Sequence, residues 1–131
     1  MTNPVFTIGP AATNWRINTG AGASQMVTRS TLDTEYLPYP VNAILGGVPY
    51  NPTADAVAFA FMPQPANNNP GSGDWHTGTW ATTGSNTYTA QILVGPANNG
   101  TPLAVGIYNV WIKITDNPEV PIIQIDTLTI T

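Results

Sequence analysis

The single histidine of the chain, His76, follows Asp74 and Trp75 and is the first residue to consider for chemistry. An imidazole beside a carboxylate can act as a general base or as a metal ligand. A metal site needs at least two more suitable ligands, yet the chain has no cysteine and its carboxylates are scattered. No serine stands in a G-x-S-x-G nucleophile elbow. We therefore expect His76 to be an exposed loop or strand-edge residue.

Two pairs of acidic residues lie close enough in the sequence to be considered for acid–base catalysis. These pairs are Asp33 with Glu35 and Asp116 with Glu119. Glycoside hydrolysis needs two carboxyl groups that face each other across a cleft. Asp33 and Glu35 share one strand face by parity, but both pairs stand in or beside turns, which is more typical of a solvated edge. The sequence therefore predicts a protein that is not an enzyme and that holds no cofactor and no metal.

An asparagine-rich loop beside two tryptophans, "ANNNPGSGDWHTGTW", is the strongest candidate for a ligand site. Sugar rings stack on indole faces, and amide groups hydrogen-bond to hydroxyl groups. This motif makes a carbohydrate-binding module, in contact with a host cell-wall or surface glycan, the alternative function. Its contacts would be Asn67, Asn68, Asn69 and Trp75. Aromatic residues of strands more often belong to a core or an interface, and Trp75 and Trp80 fit those roles too.

The scarcity of charge restricts the possible partners. Only 8% of residues are charged, with three cations, seven acidic residues and a net charge of −4, against about 25% in an average soluble domain. So few cations argue against binding to a nucleic-acid backbone or to an anionic membrane surface. No apolar run is long enough to span a bilayer, and we expect no secretory signal. Low charge with 42% hydrophobic residues instead favours a surface that contacts other proteins.

Strands are the elements that must position these residues. Thirteen prolines and twelve glycines interrupt the chain every few residues, and no window carries a helical stripe. We predict six to eight strands, one of them at 56–63 with Val57, Phe59 and Phe61 inward and alanines opposite. The apolar phase of the last strand changes, which predicts a bulge near Asp126. The Asn-Gly pair of "ANNGT" predicts a turn with positive φ at two residues.

The strand "GIYNVWIKITD" at 106–116 raises a question about Trp111. Alternate residues form one apolar face: Tyr108, Val110, Ile112 and Ile114. Trp111 stands on the opposite face among Asn109, Lys113 and Thr115. An indole in that position predicts a cover, which is either a loop or the N-terminal arm of its own chain or a neighbouring subunit, and we favour a neighbour or the arm over open water.

Residues 1–27 differ from the rest of the chain. They mix isolated apolar residues with Gly, Ala, Asn and Thr and end in "TGAGAS". Low charge and two aromatic residues argue against a simple solvated tail. We expect an extended N-terminal arm that orders by lying on another surface, followed by one domain at 28–131.

The order of features from residue 28 onward resembles a known group of proteins. A proline-rich first strand is followed by "GGVPYNPTADAVAFAF", "DWHTGTW", "YTAQILVGP", "GIYNVWIKITDNPEVPI" and "DTLTI". This order is similar to that of the small immunoglobulin-like β-sandwich domains encoded among the structural genes of tailed phages of actinobacteria. The resemblance implies an all-β fold, an immunoglobulin-like β-sandwich behind the extended arm.

The same resemblance implies a non-enzymatic role in a phage virion, as a capsid decoration protein, a head-to-tail connector or a tail component. The partners would be other virion proteins and copies of the chain itself, assembled in the host cytoplasm. Aromatic residues and arginine are the usual energetic anchors of interfaces. The residues expected to carry assembly are Phe6, Ile8, Trp15 and Arg16 in the arm, and Trp75, Trp80 and Trp111 on the domain. The position in the particle stays open.

Overall fold

A computed structural model describes residues 5–8, 26–65, 69–84, 87–116 and 119–131 of the chain. Across these ranges the only helical element is a single 3₁₀ turn, Pro52–Ala54, which Asn51 caps by accepting a hydrogen bond from the Thr53 N–H at 3.0 Å. Nothing in the described ranges forms a helix long and apolar enough to cross a membrane. The remaining regular structure is β-strand.

The described residues form ten strands, two of which have only two residues. In chain order they are β1 (Val5–Ile8), β2 (Met26–Arg29), β3 (Glu35–Leu45), β4 (Val48–Pro49), β5 (Ala56–Pro63), β6 (His76–Thr77), β7 (Thr79–Gly84), β8 (Thr87–Val94), β9 (Gly106–Thr115) and β10 (Ile122–Ile130). The short pieces explain why the sequence predicts fewer strands, since a two-residue strand leaves no periodic signal.

The strands form two sheets. The first has the order β1-β3-β8-β7 with β4 also beside β3, and the second has the order β2-β10-β9-β5-β6. Neighbours are antiparallel except β2 and β10, which are parallel. Side chains from the inner faces of both sheets build one apolar cluster. The predicted all-β sandwich is therefore confirmed.

Period-two alternation decides which side chains enter this core. Val57, Phe59 and Phe61 point inward from β5, as predicted, and the rings of Tyr39 and Phe59 lie 5.9 Å apart between the sheets. The inward residues of the central strands are almost fully buried. Burial of each large apolar side chain contributes about 1.5–3 kcal/mol.

The predicted bulge in the last strand is confirmed. The pairing of β10 with β9 shifts between Gln124 and Asp126, which leaves Ile125 as the extra residue. The shift changes the parity of the strand, so that Leu128 and Ile130 enter the core beyond it. It also turns Asp126 toward the first sheet, where its carboxylate accepts a hydrogen bond.

The turn after β8 is present, but its positive φ angles fall one residue earlier than predicted. Asn98 has φ 54° and Asn99 has φ 62°, and the Gly100 N–H donates to the Ala97 carbonyl at 2.9 Å. Asparagine tolerates the left-handed region better than other residues with a side chain. The central pair of the turn is therefore Asn98-Asn99 and not Asn99-Gly100.

Two pieces of the segment predicted as an arm are strands of the sheets. Val5–Ile8 pairs antiparallel with β3, and Met26–Arg29 pairs parallel with β10. Trp15 and Arg16 lie outside the described residues. For Phe6 and Ile8 the structure describes the backbone, which lies opposite Ala43 and Val41 respectively.

Candidate functional site

The outer face of the second sheet carries Trp111 at its centre. Trp111 lies between Ala60 on β5 and Gln124 on β10 in the strand register. Ala60 is fully buried although it stands on the outer face. The Trp111 indole N–H is shielded from solvent by the chain itself and has no hydrogen-bond partner among the described residues. A buried donor without an acceptor costs about 1–3 kcal/mol.

The loop between β5 and β6 is attached to this face on both sides of Trp111. At its start, the Gln64 N–H donates to the Ile107 carbonyl at 2.8 Å and the Gln64 amide donates to Asn109 Oδ1 at 2.6 Å. At its end, Lys113 Nζ lies 4.6 Å from the ring centroid of Trp75. Asn109 and Lys113 are the residues two before and two after Trp111, so they share its face.

The two ends of this loop are therefore fixed to the face that carries Trp111. The sequence analysis left a loop or the arm of the same chain and a neighbouring subunit open as covers. The particular contact of Gln64 with Asn109 was not predicted, because it joins residues 45 positions apart and nothing local in either segment signals it. A role for Trp111 in assembly stays a prediction. It concerns the part of the ring that the chain leaves exposed.

The two tryptophans of the asparagine-rich segment have different environments. Trp80 packs against the core, and its indole N–H donates to the Asp55 carbonyl at 2.8 Å. Trp75 is half-buried, and the Lys113 ammonium occupies one face of its ring in a cation–π contact. Of the loop asparagines, Asn69 is exposed, whereas Asn67 and Asn68 lie outside the described residues.

His76 is exposed on the edge strand β6, as expected for a strand-edge residue, with its ring 6.1 Å from that of Phe61. Within the described part of the chain, no group of three or more histidine, cysteine or acidic side chains is arranged to hold a metal ion. Asp74 lies in a turn, where its carboxylate accepts a hydrogen bond from the Gly71 N–H at 2.8 Å.

Of the acidic pair, Asp33 lies in a turn and Glu35 forms an ion pair. The Glu35 carboxylate lies 3.1 Å from the Arg29 guanidinium, which also donates to the Tyr36 carbonyl at 3.0 Å. Arg29 is buried between the sheets, and burial lowers the pKa of its guanidinium. Since Arg29 belongs to β2 and Glu35 to β3, the pair links the two sheets.

An acidic cluster at one end of the sandwich was not predicted. The Tyr50 hydroxyl donates to Asp55 Oδ2 at 3.1 Å. Burial raises the pKa of Asp55, and the neighbouring Asp116 raises it further. Asp116 and Glu119, the second acidic pair in the sequence, form a backbone bridge in which the Asp116 N–H donates to the Glu119 carbonyl at 3.0 Å.

A small uncharged hollow of about 120 Å³ lies on the outside of the first sheet. Its polar lining includes Tyr36, Thr79, Gln91, Asn99 and Thr101. Tyr36 is half exposed, and the Gln91 amide makes a long contact of 3.4 Å to the Thr79 hydroxyl. An aromatic ring beside hydroxyl and amide groups suits a neutral, hydroxyl-rich ligand no larger than one sugar ring.

An exposed apolar patch lies where β9 is connected to β10. Val120, Ile122 and Ile123 are 40%, 47% and 39% exposed. Ile122 lies opposite Lys113 on the outer face of the second sheet and Ile123 lies opposite the inward-facing Ile112, so apolar surface is exposed on both faces at this strand end. Glu119 and Lys113 stand beside this patch, the first as a chain neighbour and the second as the register partner of Ile122. An apolar centre with a polar rim is the usual composition of a protein interface.

Comparison of the chain with known protein families, with curated proteins and with solved structures finds no match in any of the three. The residues and geometry of the chain itself are therefore what bears on its function.

Proposed function

We propose that this protein is a non-enzymatic structural component of a phage virion, as capsid decoration, head-to-tail connector or tail component. The observation that carries the assembly role is the apolar patch at Val120, Ile122 and Ile123 on a protein with very few charges. Exposed apolar side chains grouped at one strand end favour burial against another protein. The virion setting follows from the resemblance of residues 28–131 to phage structural domains.

Low charge supports burial of this patch in an assembly. Ten of 131 residues are charged, three basic and seven acidic. A charged group that is buried without a good partner costs several kcal/mol, so a surface with few of them loses little on desolvation. The patch is smaller than a standard interface of about 800 Å² per partner, and neighbouring surface has to contribute.

We also infer that the sandwich is immunoglobulin-like. If the strands are lettered in chain order, with β1 and β2 sharing the first letter and β4 left out, the sheets read A-B-E-D and A′-G-F-C-C′, the immunoglobulin arrangement. The Tyr108 hydroxyl near the start of β9 donates to the Ala104 carbonyl at 2.8 Å. This contact has the form of the tyrosine corner of that fold. Such sandwiches present whole sheet faces to partners, which fits an assembly role.

Carbohydrate binding is the second candidate, and the uncharged hollow beside Tyr36 is the observation that favours it. Its hydroxyl and amide groups match the chemistry expected of a glycan site. The groups that line the hollow lie on the first sheet, whereas Trp75 packs against Lys113 of the second sheet. A glycan-binding module would be a stable monomer whose tryptophan or tyrosine fluorescence changes when cell-wall glycans are added.

Mass spectrometry of purified particles tests the virion role, because a structural component is present in particles purified through a density gradient. Absence from such particles would overturn the proposal. The patch is tested by Ile122→Asp, with Val105→Asp as the matched control on an exposed apolar residue at the other end of β9. We expect Ile122→Asp to reduce self-association or particle binding at least tenfold, while the control changes it less than twofold. Capsid genes beside the coding sequence would indicate decoration or connector, and tail-fibre genes a tail component.

A further inference from the structure

The edge of β3 that pairs with β1 of its own chain can equally pair with β1 of a second molecule. Val5–Ile8 is a strand of four residues at the edge of the first sheet, and among the described residues it pairs only with residues 41–44 of β3. A four-residue edge strand has few contacts and opens at low cost in free energy. Once open, it leaves residues 41–44 as a free sheet edge, which accepts an added strand through backbone hydrogen bonds.

The length of chain between β1 and β2 permits attachment to another molecule. Residues 9–25 are seventeen residues, and the connection can reach about 60 Å when fully extended. That distance exceeds the width of a domain of about 100 residues, whose radius of gyration is about 13 Å. The first strand of one molecule can therefore reach the β3 edge of a neighbour without disturbing β2, which stays on β10 of its own chain.

We propose that β1 is exchanged between copies of this chain, so that Val5–Ile8 of one molecule pairs with residues 41–44 of a second copy. The inference rests on the assembly role proposed above, and it names the second copy as the partner of the N-terminal segment. The register is the same in both arrangements, with Phe6 opposite Ala43 and Thr7 opposite Asn42. Because the same residues pair in both arrangements, the free energy of strand pairing favours neither the exchanged nor the unexchanged form.

What decides between the two arrangements is the local concentration of partner molecules. A connection of seventeen residues gives the chain's own β1 an effective concentration on the order of 1 mM at its own β3 edge. Pairing within one molecule therefore dominates in dilute solution, and exchange becomes comparable when copies are held together at about that concentration. Subunits that adjoin each other in a lattice meet this condition, and exchange then links each subunit to the next.

The absence of cysteine from the chain allows a direct test by disulfide trapping. Directly opposed residues of antiparallel strands have Cα atoms about 4.5–5.5 Å apart, within the range that a disulfide bridges. The single variants Thr7→Cys and Asn42→Cys are mixed and oxidised at protein concentrations from about 10 μM to 1 mM. A mixture of Thr7→Cys and Ser72→Cys measures how much disulfide forms by random collision, because Ser72 is an exposed turn residue. The double variant Thr7→Cys/Asn42→Cys reports pairing within one chain.

We expect the double variant to close within one chain at about 10 μM, and the mixed single variants to form a disulfide-linked heterodimer that increases with concentration. At about 1 mM the heterodimer should exceed the collision control at least fivefold. A heterodimer yield no greater than the control overturns exchange, and so does failure of both the mixture and the double variant to form the bond. Light scattering on the same samples distinguishes the two proposals. If the protein forms oligomers but no more heterodimer than the control, strand exchange is overturned and the assembly role is not. If the protein is a monomer and forms no more heterodimer than the control, both proposals are overturned.

Discussion

The Tyr39 hydroxyl donates a 2.9 Å hydrogen bond to Asp126 Oδ2 across the interior of the sandwich, joining residues 87 positions apart. Tyr39 is fully buried on β3, and Asp126 is turned inward by the bulge in β10. The second carboxylate oxygen of Asp126 accepts from the Thr127 N–H at 2.8 Å. The bulge that the phase change of the last strand predicted thus places an acid against a core tyrosine and connects the two sheets.

Tyr39→Phe should lower the free energy of unfolding by about 1.5–3 kcal/mol. It removes a hydrogen bond to a charged acceptor, and the apolar ring that replaces tyrosine cannot solvate the carboxylate. Urea denaturation followed by tryptophan fluorescence measures the change. Tyr36→Phe, on the same strand but half exposed, is the control and should change stability by less than 0.5 kcal/mol. Equal effects of the two substitutions would contradict a special role for the contact with Asp126.

Gly95→Ala should be among the most destabilising single changes, by about 3 kcal/mol or more. A Cβ atom at this position would overlap the backbone of Asp33 and Thr34, the closest atom being the Asp33 carbonyl oxygen. The φ of +137° also disfavours any residue with a side chain. Gly73→Ala is the matched control, because a Cβ there meets nothing within 4 Å. Thermal unfolding should separate the two variants by at least 10 °C, and similar melting temperatures would contradict the close approach of the two turns.

Asp55 makes stability depend on pH in a direction opposite to that of most carboxylates. Its pKa is raised in the folded state by burial and by Asp116. A raised folded-state pKa means that the contribution of this group is fully present below the unfolded-state pKa, about 3.9, and is lost as pH rises through the folded-state pKa. Asp55→Asn keeps an acceptor for the Tyr50 hydroxyl and cannot ionise. Relative to the unsubstituted protein, we expect Asp55→Asn to gain about 0.5–1 kcal/mol of stability between pH 4 and pH 7.

Denaturation of both proteins at several pH values checks the Asp55 prediction. Asp116→Asn serves as the companion variant, because it removes the neighbouring charge and leaves the carboxyl group of Asp55 in place. In that background the effect of Asp55→Asn should shrink. A pH-independent difference between Asp55→Asn and the unsubstituted protein would show that the carboxyl group is not perturbed.

Local patterns of the sequence predicted the strands. The features that the sequence did not predict depend mostly on contacts between residues distant in the chain. The alternation at 56–63 and the phase change near Asp126 follow from period-two burial, which each strand shows by itself. The attachment of Gln64 to Asn109 and the ion pair of Arg29 with Glu35 depend on which strands become neighbours, and no residue beside them signals that. The turn at Asn98 and Asn99 was misplaced by one residue because asparagine and glycine both tolerate positive φ.

Trp111→Phe tests whether the buried indole N–H lacks a hydrogen-bond partner in the isolated protein. The N–H is buried without a hydrogen-bond partner among the described residues, at a cost of about 1–3 kcal/mol. Phenylalanine removes that cost and keeps an aromatic ring opposite Ala60, so the isolated protein should be equally stable or more stable in urea denaturation. Trp111→Ala should instead destabilise it by about 2 kcal/mol or more, since the ring itself is lost.

Self-association of the same two variants then decides what Trp111 contributes to assembly. If the exposed part of the Trp111 ring contacts a neighbouring subunit, Trp111→Ala should weaken association by at least tenfold, which corresponds to about 1.4 kcal/mol, whereas Trp111→Phe, which keeps an aromatic ring, should weaken it less. If the chain itself is the whole cover, association of the alanine variant should equal that of the unsubstituted protein. Sedimentation equilibrium distinguishes the two results, and the second would remove Trp111 from the residues proposed to carry assembly.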